Sequence, residues 1–147
     1  MTAAQKRTRK ATPTVNAAES IDSRPFRWSA SHIDHKFADK WDWDLQPKET
    51  SDLLQLLAGL GDCTWGDVKS MRTNSKNSSR LLHHAQPAAS VCKEARDRLD
   101  KLGRGDQEEL FRLRHGSKVR VWGVIESGQL SIIWYDRDHK VYPTEAS

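Results

Sequence analysis

The run "LFRLRHGSKVRVWGVIESGQLSIIWYDRDHKVYP", residues 110–143, constrains the fold more than any other stretch of this chain. From Leu110 onward the apolar residues recur at every second position. Phe111 and Leu113 fall on one side and Arg112 and Arg114 on the other; Val119, Val121 and Ile125 fall on one side and Arg120, Trp122 and Val124 on the other. This is strand spacing. His115, Gly116 and Ser117 supply a turn, Ser127 and Gly128 a second, and Gln129 to Tyr135 a third strand. Three strands so tightly joined read as an antiparallel meander. In the third, Leu130, Ile132 and Trp134 are expected to face the helices, with the chain leaving the sheet at Asp136.

Upstream the period changes. Phe26, Trp28 and Ala30 alternate with Arg27 and Ser29, which predicts an N-terminal strand. Trp41 and Trp43 share a face if their segment is extended. Leu53, Leu56, Leu57 and Leu60 make a helical stripe, with Ser51 as the expected N-cap and Gly61 as the stop. Thr64 followed by Asp67 has the capping-box pattern, and Trp65, Val68 and Met71 continue it as a short helix. Residues 72–87 are polar and read as a long loop, with His83 and His84 exposed on it. Val91, Cys92, Ala95, Leu99 and Leu102 then form the stripe of a third helix that ends at Gly103. The expected fold is α+β: an antiparallel sheet, made of the N-terminal strand and the C-terminal three-strand meander, with two or three helices packed on one face.

The net charge of +4 is unevenly placed. Lys6, Arg7, Arg9 and Lys10 carry it in the first ten residues, so residues 11–147 sum to zero. A nucleic-acid site must therefore come from local clustering rather than from the field of the whole domain. Residues 1–24 have little to bury and read as a disordered basic tail, with one domain over 25–147. No window is apolar for eighteen residues, so no membrane span is expected, and no apolar run follows the N-terminal basic residues as a secretory signal would require. Cys63 and Cys92 read as buried reduced thiols of a cytoplasmic protein.

The chemistry-bearing residues gather on the meander. Neighbouring strands lie about 4.8 Å apart, so Arg112, Arg114 and Arg120 can converge on one anion, and guanidinium forks match phosphate oxygens. Lys118 adds a cation, while Trp122, Trp134 and Tyr135 offer surfaces for stacking bases. Each arginine also fits a solvated sheet face, paired with Glu126 or Asp136. In "SHIDHKF", His32, Asp34 and His35 match no standard metal-ligand spacing, and neither a metal nor another cofactor is expected.

The order strand, helices, three-strand meander, together with Leu110 to Arg114, Arg120–Val121, and the ending His139, Lys140 and Tyr142, resembles the RelE/ParE toxin superfamily of bacterial toxin–antitoxin systems. The likeness covers the last third of the chain. Here only Lys140 and Val141 separate His139 from Tyr142, fewer residues than is usual in that family. The resemblance implies a ribonuclease that cuts mRNA on the ribosome without a metal, and a possible cognate antitoxin. It makes His139, Lys140, Tyr142 and Arg120 the catalytic candidates, and Arg112, Arg114, Lys118, Trp122 and Tyr135 the RNA-binding ones. The alternative is a non-catalytic module of the same shape that binds a protein, as ParE-like members do, or a nucleic acid.

Overall fold

The computed structural model describes residues 21–37, 40–73 and 80–143. Its elements are β1 (Trp28–Ser29), α1 (Pro47–Leu60), α2 (Trp65–Ser70), β2 (His84–Pro87), a 3-10 turn (Ala88–Ser90), α3 (Lys93–Lys101), β3 (Glu109–His115), β4 (Val119–Glu126) and β5 (Gln129–Asp136). They form one five-stranded sheet in the order β1-β5-β4-β3-β2. The fold is α+β, and the meander β3-β4-β5 is antiparallel with tight turns. Gly116 and Gly128 occupy those turns at φ +69° and +78°, a region open to glycine.

Both edges differ from the sequence expectation. The N-terminal strand is only two residues long and pairs parallel to β5, Trp28 opposite Leu130. At the other edge, the end of the expected 72–87 loop becomes β2, antiparallel to β3. Four residues closed by a proline carry too little periodicity to stand out as a strand.

The sheet is covered on both faces. Leu57 and Leu60 of α1, with Trp65 and Val68 of α2, pack on Phe111, Leu113, Val121, Leu130 and Ile132. Ala95 and Leu99 of α3 pack on the opposite face with Leu110, Trp122, Val124, Ile133 and Trp134. Two helices thus share a face as expected, and the third lies across the sheet from them. The parity of β5 changes at a register shift beside Trp122 and Gly123. Ile133 and Trp134 consequently both reach the α3 face, and Tyr135 returns to the α1/α2 face. Trp134 was expected beside Leu130 and Ile132; the bulge reverses it.

Gly123 is part of that arrangement. A Cβ there would collide with the backbone carbonyl of Ser131 and touch the Leu130 side chain at 3.0 Å. Gly123→Ala is expected to destabilise the fold by about 1–3 kcal/mol, as overpacking does. Denaturant unfolding would measure it, and an unchanged midpoint would mean the bulge yields freely.

The helix ends follow local chemistry. Thr64 N–H donates to Asp67 Oδ2 at 3.0 Å and Asp67 N–H donates to Thr64 Oγ1 at 3.1 Å, the reciprocal cap that starts α2. Helix α1 begins a turn before the expected Ser51. Pro47 fits its first turn, and Gln46 N–H donates to Glu49 Oε1 at 2.9 Å. The 40–46 segment passes around the β5 side of the sheet. Trp41 packs with the α3 cluster, 5.0 Å from the Trp134 ring. Trp43 packs with the α1/α2 cluster and donates Nε1–H to Ile133 O at 2.9 Å. The two tryptophans therefore serve opposite faces instead of sharing one.

Of the expected tail, residues 1–20 lie outside the described residues. Ile21 packs against the α1/α2 core, and Asp22 accepts from Lys69 at 2.8 Å. Cys63 and Cys92 are unbridged and half-buried rather than buried. No helix among the described residues is long and apolar enough to cross a membrane.

Candidate functional site

Register brings the charged residues of the meander together. Arg114 stands opposite Arg120, and Arg120 opposite Asp136, in one row across β3, β4 and β5. One row further in, His84 stands opposite Arg112, which stands opposite Trp122. Directly opposed residues have Cβ atoms about 4.5–5.5 Å apart. Trp122 and Val124 of β4 belong to the α3 cluster, so by alternation the row Arg114–Arg120–Asp136 shares the α3 face.

The expected open, arginine-lined face is instead largely enclosed. Arg120 is 0% exposed and Arg112 2%. The Arg120 guanidinium curls back over the β3–β4 turn, donating from Nη1 to Val119 O at 3.0 Å and from Nη2 to Ser117 O at 3.3 Å. Arg114 donates Nε–H to Gly116 O at 3.0 Å. Arg112 donates from Nη1 to Leu82 O at 3.1 Å, tying the entry of β2 to β3. Trp122 and Tyr135, singled out for base stacking, are core side chains at 0% and 1% exposure. The exposed cations at this end of the sheet are Lys118, in the turn, and Lys140, with Arg114 half-buried between solvent and sheet.

Asp136 organises the C-terminal end. Its carboxylate accepts from Lys140 N–H at 2.9 Å, Val141 N–H at 2.9 Å and Trp122 Nε1–H at 3.3 Å. Burial raises its pKa, opposed by those donors and by the charge of the neighbouring His139 ring. Gathering the amides of residues 140 and 141 onto one carboxylate closes a tight loop, and His139 sits in it at φ +59°. Histidine is among the residues that enter that region most readily. His139 is nearly buried, Lys140 is exposed, and Tyr142 packs half-buried against the α3 cluster. His139 and Lys140 thus lie at the end of the arginine row, on the loop that Asp136 holds. A cleft of about 230 Å³ adjoins this loop, lined by Lys40, Trp41, Asp136, Arg137, Asp138 and Lys140. Two of its cations are engaged: Lys40 pairs with Glu94 at 3.3 Å, and Arg137 forks onto Glu49 at 2.7 Å and 3.1 Å.

The His32–Asp34–His35 group separates. Asp34 is buried and accepts from Arg98 Nε at 2.7 Å, Arg98 Nη2 at 2.6 Å and Trp134 Nε1 at 2.9 Å. Burial opposes its charge, but the Arg98 fork and the indole hold its pKa below the ordinary carboxylate value. His32 and His35 are exposed. Among the described residues no group of three His, Cys, Asp or Glu could hold a metal ion.

The histidine pair of the expected loop is also split. His84 is half-buried, whereas His83 is 1% exposed. Arg114 N–H donates to His83 Nδ1 at 3.0 Å. Burial first, then the charges of Arg112, His84 and Arg114, lower the His83 pKa from 6.5 to about 4. The unfolded chain therefore takes up this proton near pH 6.5, and the folded chain only near pH 4. The stabilisation is complete above pH 6.5 and is lost between pH 6.5 and 4. From about 2.5 pKa units it amounts to about 3 kcal/mol. Chemical unfolding at pH 7.5 and pH 4.5 should show this loss, and His83→Gln should remove most of the difference. An equal pH dependence in the variant would mean His83 is not the titrating group.

The sequence reading missed Asp34, Arg98 and His83 as buried groups. A signal existed only for the enclosed arginines: Arg120 shares its strand face with Trp122 and Val124, and a face carrying those two large apolar side chains is seldom left to solvent. No family model, curated protein or solved structure matches the chain.

Proposed function

We propose that the chain acts on RNA as a ribonuclease of the RelE-like toxin type. The observation that carries the reading is the cross-strand row Arg114–Arg120–Asp136 with His139 and Lys140 on the loop that follows. In this reading Lys118, Arg114 and Lys140 contact phosphates and stabilise charge developing on phosphorus. His139 moves a proton between the 2′-hydroxyl and the leaving 5′-oxygen, and Tyr142 assists that transfer. Arg120 and Asp136 are positioning residues, one fixing the β3–β4 turn and the other the 136–141 loop, and Arg112 fixes β2. The substrate is mRNA, free or on the ribosome, and the protein partner of such a toxin is a cognate antitoxin.

A second reading has its own observation. The stacking candidates Trp122 and Tyr135 are core, and the Arg112 and Arg120 guanidiniums bond backbone carbonyls. A module so built binds a protein or nucleic acid without cutting it. Expression in bacteria, followed by purified protein added to RNA with and without ribosomes, separates the two. Growth arrest with cleaved mRNA supports the ribonuclease; RNA retained uncut supports the module. Healthy growth with neither binding nor cleavage removes the ribonuclease and any RNA-binding module.

A further inference from the structure

A cavity of about 220 Å³ opens on the α1/α2 side of the sheet beside the edge strand β2. Leu81, Ala85, Phe111 and Ile125 form its apolar wall, and Lys69, His83, His84 and Glu109 complete the lining. The α1/α2 side is given by Phe111, a member of that core, and by Ala85, its cross-strand partner. The cavity is thus across the sheet from the arginine row and independent of the RNA reading.

His83 gives the cavity its chemistry. A backbone amide can only donate, so the bond from Arg114 N–H makes Nδ1 the bare nitrogen and leaves the proton of the neutral ring on Nε2. Among the described residues Nε2–H has no acceptor. That nitrogen is not among the fully buried atoms that lack a partner, so the donor keeps a trace of exposure. An apolar wall and one ring N–H without a protein acceptor fit a ligand that brings one acceptor and a hydrocarbon body.

Size and charge narrow the class. The volume exceeds the roughly 150 Å³ known to hold benzene and is below the roughly 300 Å³ at which drug-sized sites begin. Arg112 and Arg114 lie close enough to act on the His83 ring by charge. Lys69 is on the lining, and its exposed pair with Asp22 is of a kind worth only about 0–1 kcal/mol, so a ligand can compete for it. Glu109 is the one acid among the described lining residues. This field favours an anionic acceptor over a neutral carbonyl.

We infer that the cavity binds a small apolar monocarboxylate, its carboxylate accepting from His83 Nε2 and its body lying against Leu81, Phe111 and Ile125.

Phenylacetate titrated into the full chain is the probe, followed through the imidazole nitrogen shifts of His83 and through thermal unfolding. Saturation with a Kd on the order of 1 mM, a displaced Nε2 resonance and a raised Tm are expected for a ligand of this size. Phenylethylammonium, with nearly the same body and opposite charge, should bind at least about tenfold more weakly. Ala85→Trp fills the cavity from an exposed position on the edge strand and should abolish binding without disturbing the core. His83→Phe keeps a ring but removes the donor and should weaken phenylacetate about tenfold or more. Should that variant fail to fold, Ala85→Trp and the ammonium probe still decide. No shift at His83 up to about twenty times the expected Kd, equal binding of the two probes, or unchanged binding in Ala85→Trp would overturn the assignment and leave the space to water.

Discussion

Arg98→Ala is expected to lower the unfolding free energy by about 3–5 kcal/mol, the usual cost of stranding one member of a buried ion pair. The pair is two-pronged, with bonds of 2.7 Å and 2.6 Å to a carboxylate that is 3% exposed. It joins the segment before Trp41 to α3, and Trp134 of the sheet donates to the same carboxylate. Removing the guanidinium leaves Asp34 buried and charged with two N–H donors, from Trp134 and Lys36. Domains of this size are stable by about 5–15 kcal/mol in total, so the loss is a large fraction. The pH dependence follows from the lowered Asp34 pKa. The stabilisation is full above the ordinary aspartate value and disappears as pH falls through the depressed one. In Arg98→Ala the carboxyl pKa should rise, so stability should recover relative to wild type as the solution is acidified. Urea unfolding of both proteins from pH 7 to pH 3 provides the measurement. A loss under about 1 kcal/mol would show the pair to be open in solution.

The meander was legible because its physics is local. Alternation of Phe111 and Leu113 with Arg112 and Arg114, and two glycine turns, specify strands and their neighbours together. The α2 cap was legible for the same reason. What escaped is set by partners distant in sequence. Asp34 and Arg98 are 64 residues apart, and neither carries a mark of burial. Trp41 and Trp43 part because their segment rounds the sheet rather than following one face. Ile132, Ile133 and Trp134 are all apolar, so the run fits either face and conceals the bulge. The cross-strand neighbourhood of Arg112, Arg114 and Arg120 was legible, since the register of adjacent strands follows from the turns. Its exposure was not, because the side on which α3 packs is a long-range choice. Covering the second face turned Arg112 and Arg120 from surface cations into braces for carbonyls.

That change sets which substitutions can test the ribonuclease. Arg120→Ala would remove a fully buried charge and release the turn carbonyls of Ser117 and Val119. It is expected to destabilise the fold by about 3 kcal/mol or more, and lost activity would then say little about chemistry. His139 is the cleaner probe, with one precaution. At φ +59° an alanine would strain the backbone, whereas asparagine tolerates that region and cannot exchange a proton near neutral pH. His139→Asn should keep the wild-type unfolding midpoint within about 1 kcal/mol and lower RNA cleavage by about two to four orders of magnitude. The Asp136 pKa should rise further, because the charge of the His139 ring now helps to hold it down. Single-turnover cleavage of a defined mRNA, with product ends analysed for 2′,3′-cyclic phosphate, is the readout. Asn at 139 with full activity would remove the histidine from the mechanism. A folded, RNA-binding wild type that leaves the substrate intact would make the sheet row a binding surface, and His139 would then be a loop residue chosen for its backbone.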